Sequence, residues 1–286
     1  MPQFSHAAIA PRPDPERMRE VLTHTQRPYV VLKAGVTLDG KIATGAGASR
    51  WITGEAARAH AHQLRGACAG VLVGIGTVLA DDPQLTVRLP LTTPGAAQPG
   101  SAAKSTALKP GGKKDAGKKR AEANGVGTPT ATAQPARVVL DSHARIARSA
   151  RCLSDDGARR IVVVGSHAAR QALDALHDQG AEVFVCATPR PHPEEFLPAL
   201  RRAGLGSLLV EGGAQVHASL IAHNGVDELF LYMAGGVFGG AEAPGWCAAL
   251  GVERPEDAPR FTLDAASPLD ADLLIHGVFS TRPPHP

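Results

Sequence analysis

From residue 28 to about residue 280 the chain alternates short β-branched runs with amphipathic stretches. Tyr29–Val36 is the first run; it follows Pro28 and is soon closed by the turn dipeptide Asp39-Gly40. An almost continuous apolar run of this length predicts a strand buried on both faces. Gly70–Gly74, residues 137–141, 160–165, 181–185 and 208–213, and Glu228–Met233 repeat the pattern. A helix is expected from Thr53, as N-cap with Glu55 in the first turn, through an alanine-rich stretch to Arg65. Further helical patterns cover 166–178, 193–203 and 214–224, the last ending near Asn224-Gly225. Residues 261–263 and Asp272–Phe279 predict antiparallel edge strands. Strands alternating with helices specify an α/β fold with a mostly parallel sheet.

Two segments depart from this pattern. Residues 1–26 are polar and rich in proline and arginine, and read as an arm of low order with a short helix over 15–22. Residues 90–136 consist largely of Pro, Gly, Ala, Ser, Thr and Lys. Such a segment cannot bury enough apolar surface to offset its ordering entropy, so it reads as a disordered insertion. The expected organisation is therefore an arm at 1–26 and one domain over 27–282 that carries the insertion.

Composition narrows the class. With 286 residues, 43% hydrophobic and 20% charged, the chain can build a sizeable core without disulfides or a structural metal. Cys68, Cys152, Cys186 and Cys247 are widely spaced and form no CxxC pair. That pattern speaks against a zinc module or a disulfide framework and suits a reducing cytoplasm. No apolar run is long enough to span a bilayer, and no signal-peptide core is present. The net charge of +3 is misleading. Residues 91–135 hold seven Lys and Arg against Asp115 and Glu122, a local +5, which leaves −2 for the remainder. That basic segment contains no aromatic residue, so a nucleic-acid partner is disfavoured.

The chemistry-bearing signals are individually modest. In Val210-Glu211-Gly212-Gly213-Ala214 a strand meets a glycine turn and then a helix start, which suits an anion such as a dinucleotide pyrophosphate. A tight turn with no ligand explains the two glycines equally well. Glu211 sits at the carboxyl end of a strand, where open α/β sheets bind ligands. Gly74-Ile75-Gly76-Thr77 frees the backbone after a strand, and Thr77 offers a hydroxyl, but the GxGxxG fingerprint is incomplete because Leu79 holds the third position. Asp81-Asp82 could pair on a metal, although a cap before Pro83 is the commoner role for Asp82. Lys33 within an apolar strand needs a partner or a site, unless it snorkels at a sheet edge. His60 and His62 point to different helix faces and make a poor metal pair.

Several stretches in order carry a resemblance. They are Arg27-Pro28-Tyr29-Val30-Val31-Leu32-Lys33, Thr37-Leu38-Asp39-Gly40-Lys41, Ser49-Arg50-Trp51-Ile52-Thr53-Gly54, and the run from Gly74 through Asp81-Asp82-Pro83 to Arg88. Val139-Leu140-Asp141-Ser142, Val210–Ala214 and Val226-Asp227-Glu228-Leu229 follow. Together they resemble the reductase domain of the bacterial bifunctional riboflavin-biosynthesis proteins, RibD. The resemblance implies a dihydrofolate-reductase-like fold, NADPH as cofactor, and reduction of 5-amino-6-(5-phosphoribosylamino)uracil to its ribitylamino product. Hydride would pass to the sugar C1′ after the ring opens to an imine.

Carried over by motif, the cofactor side would comprise Gly35, Trp51, Thr77, Asp81 and Ser142, with the turn Gly213, Ala214, Gln215, Val216, His217, Ala218 and Ser219. The substrate side would comprise Ser49, Arg65, Leu85, Arg88 and Glu211, with the two arginines suited to a phosphate. Lys33 and Glu211 are the catalytic candidates, and no metal is implied. The resemblance also implies a homodimer built near residues 228–240.

Two departures from the family pattern bear on the substrate. The usual zinc deaminase partner carries an HxE followed by a PCxxC, and no PCxxC occurs here, so a stand-alone reductase is expected. Gly236 stands where the family has a lysine. A diverged paralogue acting on another pterin- or pyrimidine-like carbonyl or imine remains an alternative, as does a non-catalytic NADPH-binding scaffold.

Overall fold

A computed structural model describes residues 12–88 and 134–279. Its nine strands are β1 (Tyr29–Val36), β2 (Gly70–Gly74), β3 (Ala136–Leu140), β4 (Arg160–Val164), β5 (Glu182–Val185), β6 (Ser207–Gly212), β7 (Glu228–Met233), β8 (Phe261–Leu269) and β9 (Asp272–Phe279). The helices are α1 (Pro15–His24), α2 (Glu55–Ala67), α3 (Ile75–Asp81), α4 (Arg170–Asp178), α5 (Pro193–Arg202) and α6 (Ala214–Ala222). The strands form one sheet in the order β5-β4-β3-β2-β6-β1-β7-β9-β8. The seven from β5 to β7 are parallel, while β9 and β8 add antiparallel. This is the mostly parallel α/β sheet with antiparallel edge strands that the sequence pattern predicts, and it agrees with the dihydrofolate-reductase-like fold that the resemblance implies.

The apolar runs explain the layering. Tyr29, Val30, Val31 and Leu32 are all at most 1% exposed, so β1 is covered on both faces. Val30, Leu32, Leu72 and Val210 point to one face, where α5 and α6 add Phe196, Leu200, Leu220 and Ile221. The opposite face is covered in two parts. Ile75 and Val78 of α3 and Leu176 of α4 pack on Val71, Val139 and Val162. Ala57 and Leu64 of α2 pack on Val31, Leu209, Phe230 and Tyr232. The buried α2 residues Ala57, His60, Ala61 and Leu64 follow the spacing of one helix face.

Several expectations shift. The described part of the arm starts at residue 12, and the short helix expected at 15–22 is α1. Asp14 caps α1 by accepting from Glu16 N at 2.8 Å, and Met18 and Val21 pack against the Tyr29 and Val31 layer. Gly54, not Thr53, is the N-cap of α2, and its amide donates to Asp272 Oδ2 at 2.7 Å. The short helix α3 begins directly after β2, where a glycine-freed turn was expected. The insertion at 90–136 lies outside the described residues except for its last three, and Ala136 already belongs to β3. β7 is internal, flanked by β1 and β9. Of the 228–240 region, the exposed part is the loop after β7, with Val237 65% and Phe238 38% exposed.

Candidate active site

The chain steps outward from β1 through β2, β3, β4 and β5, then returns to place β6 between β2 and β1. Consequently the helices that follow β2 and β6 leave for opposite faces of the sheet. Neighbouring strand ends that part in this way leave a crevice at their carboxyl ends. Two glycine turns at these strand ends approach their neighbours closely. A Cβ on Gly212 would lie 2.8 Å from Thr77 Oγ1, and one on Gly74 would lie 2.8 Å from Val216 Cγ2. Gly213, the N-cap of α6, has φ of 93°, and no side chain caps the helix. The first amides of α6 therefore have no side-chain acceptor, which suits an anionic ligand.

Glu211 occupies a bulge. The register of β6 against β2 pairs Val210 with Leu72 and then Gly212 with Val73, passing over Glu211. A bulge re-aims a side chain at a strand end. Here the carboxylate receives both sides of the Arg65 fork, from Nε at 2.5 Å and Nη2 at 2.6 Å. Arg65 Nη1 also donates to Thr86 O at 2.8 Å. Burial alone would raise the Glu211 pKa, but the Arg65 charge and its hydrogen bonds, aided by Lys33 and His62, hold it below the ordinary carboxylate value. The Arg65 value is raised by the same pairing, against its own burial.

Lys33 is partly buried on an interior strand, so a sheet edge does not account for it. Its burial lowers the pKa of the ammonium; Glu211 opposes that fall and Arg65 adds to it. The Nζ lies 5.6 Å from the centroid of the Tyr232 ring. Tyr232 Oη in turn meets His60 Nδ1 at 2.7 Å.

The other residues selected from the sequence have the following partners in the structure. Ser49 Oγ donates to Asp81 Oδ1 at 2.8 Å, joining a substrate-side candidate to a cofactor-side one. Gly35 faces Thr53, whose Cγ2 would lie 3.1 Å from an added Cβ. Trp51 is 77% exposed at φ of 66°, with the Arg58 guanidinium 4.6 Å from its ring centroid. Ser142 lies two residues past the end of β3, and its carbonyl accepts from Gly165 N at 3.1 Å. Arg88 is exposed, and its amide donates to His62 Nδ1 at 3.4 Å.

Two substrate-side candidates already have partners within the fold. The Arg65 fork, expected to face a phosphate, is closed on Glu211, while Arg88 is exposed. Leu85 is 1% exposed and packs its side chain into the layer of Val71 and Val73, so only its backbone, at φ of 55°, can face a ligand. In the turn 213–219, His217 and Ala218 are buried, and the exposed side chain is Gln215. His217 donates from Nδ1 to Trp246 O at 2.7 Å, and burial depresses its pKa to about 4. His60 and Tyr232 were missed as neighbours of the site, since an apolar-strand tyrosine and a helix histidine read as ordinary core.

Among the described residues no group of His, Cys, Asp and Glu could hold a metal ion, and no helix is long and apolar enough to cross a membrane.

Residues 28–275 match the RibD C-terminal domain family. The chain is 32% identical over 270 residues to riboflavin biosynthesis protein RibD of Bacillus amyloliquefaciens, covering 93% of this chain and 62% of that protein. It is 33% identical over 249 residues to the 2,5-diamino-6-ribosylamino-4(3H)-pyrimidinone 5′-phosphate reductase of Methanothermobacter thermautotrophicus, covering 87% and 97%. A solved structure of Acinetobacter baumannii RibD superposes with a TM-score of 0.69 at 26% identity, over 93% of this chain and 62% of that one. The chain thus spans about three fifths of the RibD proteins and nearly all of the archaeal reductase. It belongs to the RibD C-terminal domain family.

Proposed function

We propose that this member of the family is an NADPH-dependent reductase of riboflavin biosynthesis. Its substrate on this reading is 5-amino-6-(5-phosphoribosylamino)uracil, which it converts to the ribitylamino compound. The observation that carries this reading is the bulged Glu211, clamped by Arg65 and close to Lys33, beside two glycine turns in one crevice.

The cradle fits the cofactor. Uncapped α6 amides and the crowded glycines at 74 and 212 suit a pyrophosphate that approaches the backbone closely. Gln215 and Thr77 flank it, and Trp51 offers an exposed aromatic face. When bound, the reduced nicotinamide supplies the hydride for C1′.

The protein's own residues orient the sugar and manage the proton. As the C1′–O4′ bond of the substrate breaks, the proton of the exocyclic nitrogen moves to O4′. After the C1′–H bond forms, the nitrogen takes a proton back. Lys33, whose burial weakens its hold on its proton, is the donor for that step. Glu211 stays ionised beside it. Each carboxylate oxygen accepts one Arg65 bond and keeps a further lone pair for a pyrimidine N–H or a sugar hydroxyl. Exposed Arg88 takes the phosphate.

The archaeal relative's name supports a second substrate, because the chain covers 97% of that reductase at 33% identity. That compound is the diaminopyrimidinone, which retains the amino group that a deaminase would remove. A homodimer goes with this reading and would be built around the loop after β7.

The test is NADPH oxidation followed by absorbance, with each freshly prepared ribosylaminopyrimidine phosphate in turn. Oxidation that depends on the uracil supports the leading reading, and oxidation that depends only on the diaminopyrimidinone moves the enzyme one step earlier. NADPH binding without turnover on either compound would refute both in favour of a scaffold. Light scattering of the purified chain reads the dimer.

A further inference from the structure

We propose that Tyr232, pinned by His60, is a positioning residue that holds the Lys33 ammonium in the crevice with its aromatic face. The proposal rests on the reading of Lys33 as the proton donor, and it concerns two residues that lie behind the site.

The register of β1 and β7 sets the contact. Lys33 pairs with Phe230 and Gly35 with Tyr232, so these four residues share the face covered by α2. Gly35 has no side chain to intervene between the lysine stem and the Tyr232 ring. The Nζ ends 5.6 Å from the ring centroid, within the range in which a cation is attracted to an aromatic face.

The ring is fixed from behind. Tyr232 is fully buried, and its hydroxyl meets His60 Nδ1 at 2.7 Å. His60 is 3% exposed and packs its ring 6.0 Å from that of Phe230. A ring held by packing and by a hydrogen bond from α2 keeps one orientation.

The charges around Lys33 make the platform consequential. Glu211 on β6 attracts the ammonium, while Arg65 on α2 repels it. His217 on α6 is near enough to feel the lysine charge but is itself neutral at ordinary pH. Beside Glu211, which is already shared with Arg65, the Tyr232 face also favours the charged lysine. Removing the electron density of that face therefore lowers the pH at which Lys33 loses its proton.

The experiment replaces residue 232 by phenylalanine and then by successively fluorinated phenylalanines in the full chain. Fluorination drains the face with little change in size. Lys33 is titrated by NMR of ε-carbon-labelled lysine, with the signal assigned by its loss in Lys33→Met. Tyr232→Phe keeps the face but loses the hydrogen bond to His60, so it is the reference from which the fluorinated series is read. The fluorinated series should step the Lys33 pKa down, by about 0.5–1 pH unit at full fluorination. A flat series overturns the proposal. Because the titration needs no turnover, it is separable from the functional reading. Parental turnover by Lys33→Met would overturn the proton-donor role and the proposal with it. Loss of turnover together with a flat series would sink the platform alone.

Discussion

Replacing Glu211 with glutamine tests how tightly the crevice is bound to the fold. The Arg65 and Glu211 side chains are 13% and 9% exposed, and two short bonds join them. Removing one partner of a buried pair costs about 3–5 kcal/mol, because the other charge is left in a poor solvent. Glutamine keeps a carbonyl oxygen for one guanidinium N–H, and Thr86 still accepts from Nη1. The expected loss is therefore at the low end, about 3 kcal/mol. In a chain of this size that lowers Tm by roughly 6 °C. Adding Arg65→Met removes the orphaned charge, so the double variant should recover about 2 kcal/mol relative to additivity.

The pair's pH dependence has a definite sign. The folded-state pKa of Glu211 lies below its ordinary value of 4.5. Its stabilising contribution is thus complete above that value and disappears as pH falls through the folded value. The gap between parent and Glu211→Gln should be widest near neutrality and close in strong acid. Thermal unfolding followed by circular dichroism, with urea midpoints across pH, measures both effects. A Glu211→Gln variant that melts within about 1 °C of the parent, with a strictly additive double variant, would refute a structural role for the clamp.

Two further outcomes follow from the geometry. Gly212→Ala places a Cβ 2.8 Å from Thr77 Oγ1 and should cost about 1–3 kcal/mol while weakening NADPH binding. Thr77→Ala in that background should restore the melting temperature, and calorimetric titration reads the cofactor. His217, whose pKa is depressed to about 4 from an ordinary 6.5, makes the fold lose stability as pH falls between those values, since the unfolded chain takes up the proton first. His217→Asn should flatten the urea midpoint across that window, and an unchanged slope would show that the acid sensitivity lies elsewhere.

The legible part of this protein was local. The apolar runs of β1, β2 and β7, the amphipathic face of α2 and the turn at Gly212-Gly213 depend on residues close in sequence, where periodicity and glycine chemistry suffice. Glu228–Met233 and Asp272–Phe279 coincide with their strands because both are bounded by polar or turn residues. The short helix α3 escaped notice because two glycines in a nine-residue stretch resemble a loop, and its helicity comes from packing Ile75 and Val78 on β2 and β3. The polar leader was judged by composition, which hides that Met18 and Val21 fall on one side of α1 and find a surface there.

Within the site, the residue types were legible while the partnerships were not. Arg65 was read as a phosphate ligand because an isolated arginine advertises only its fork. That the fork closes on Glu211, 146 residues away, depends on α2 lying across the end of β6. Lys33 announced itself as a charge in an apolar strand, but its neighbour Tyr232 is paired with His60 over a separation of 172 residues, and neither carries a local signal. The bulge at Glu211 exists only in the register between two strands. By itself, the sequence determined the strands, the helices other than α3, and which residue types could do chemistry, because those follow from short-range periodicity and side-chain identity. The tertiary structure decided which charges are paired and which remain free, because β6 returns between β2 and β1 through packing that no neighbouring residue encodes.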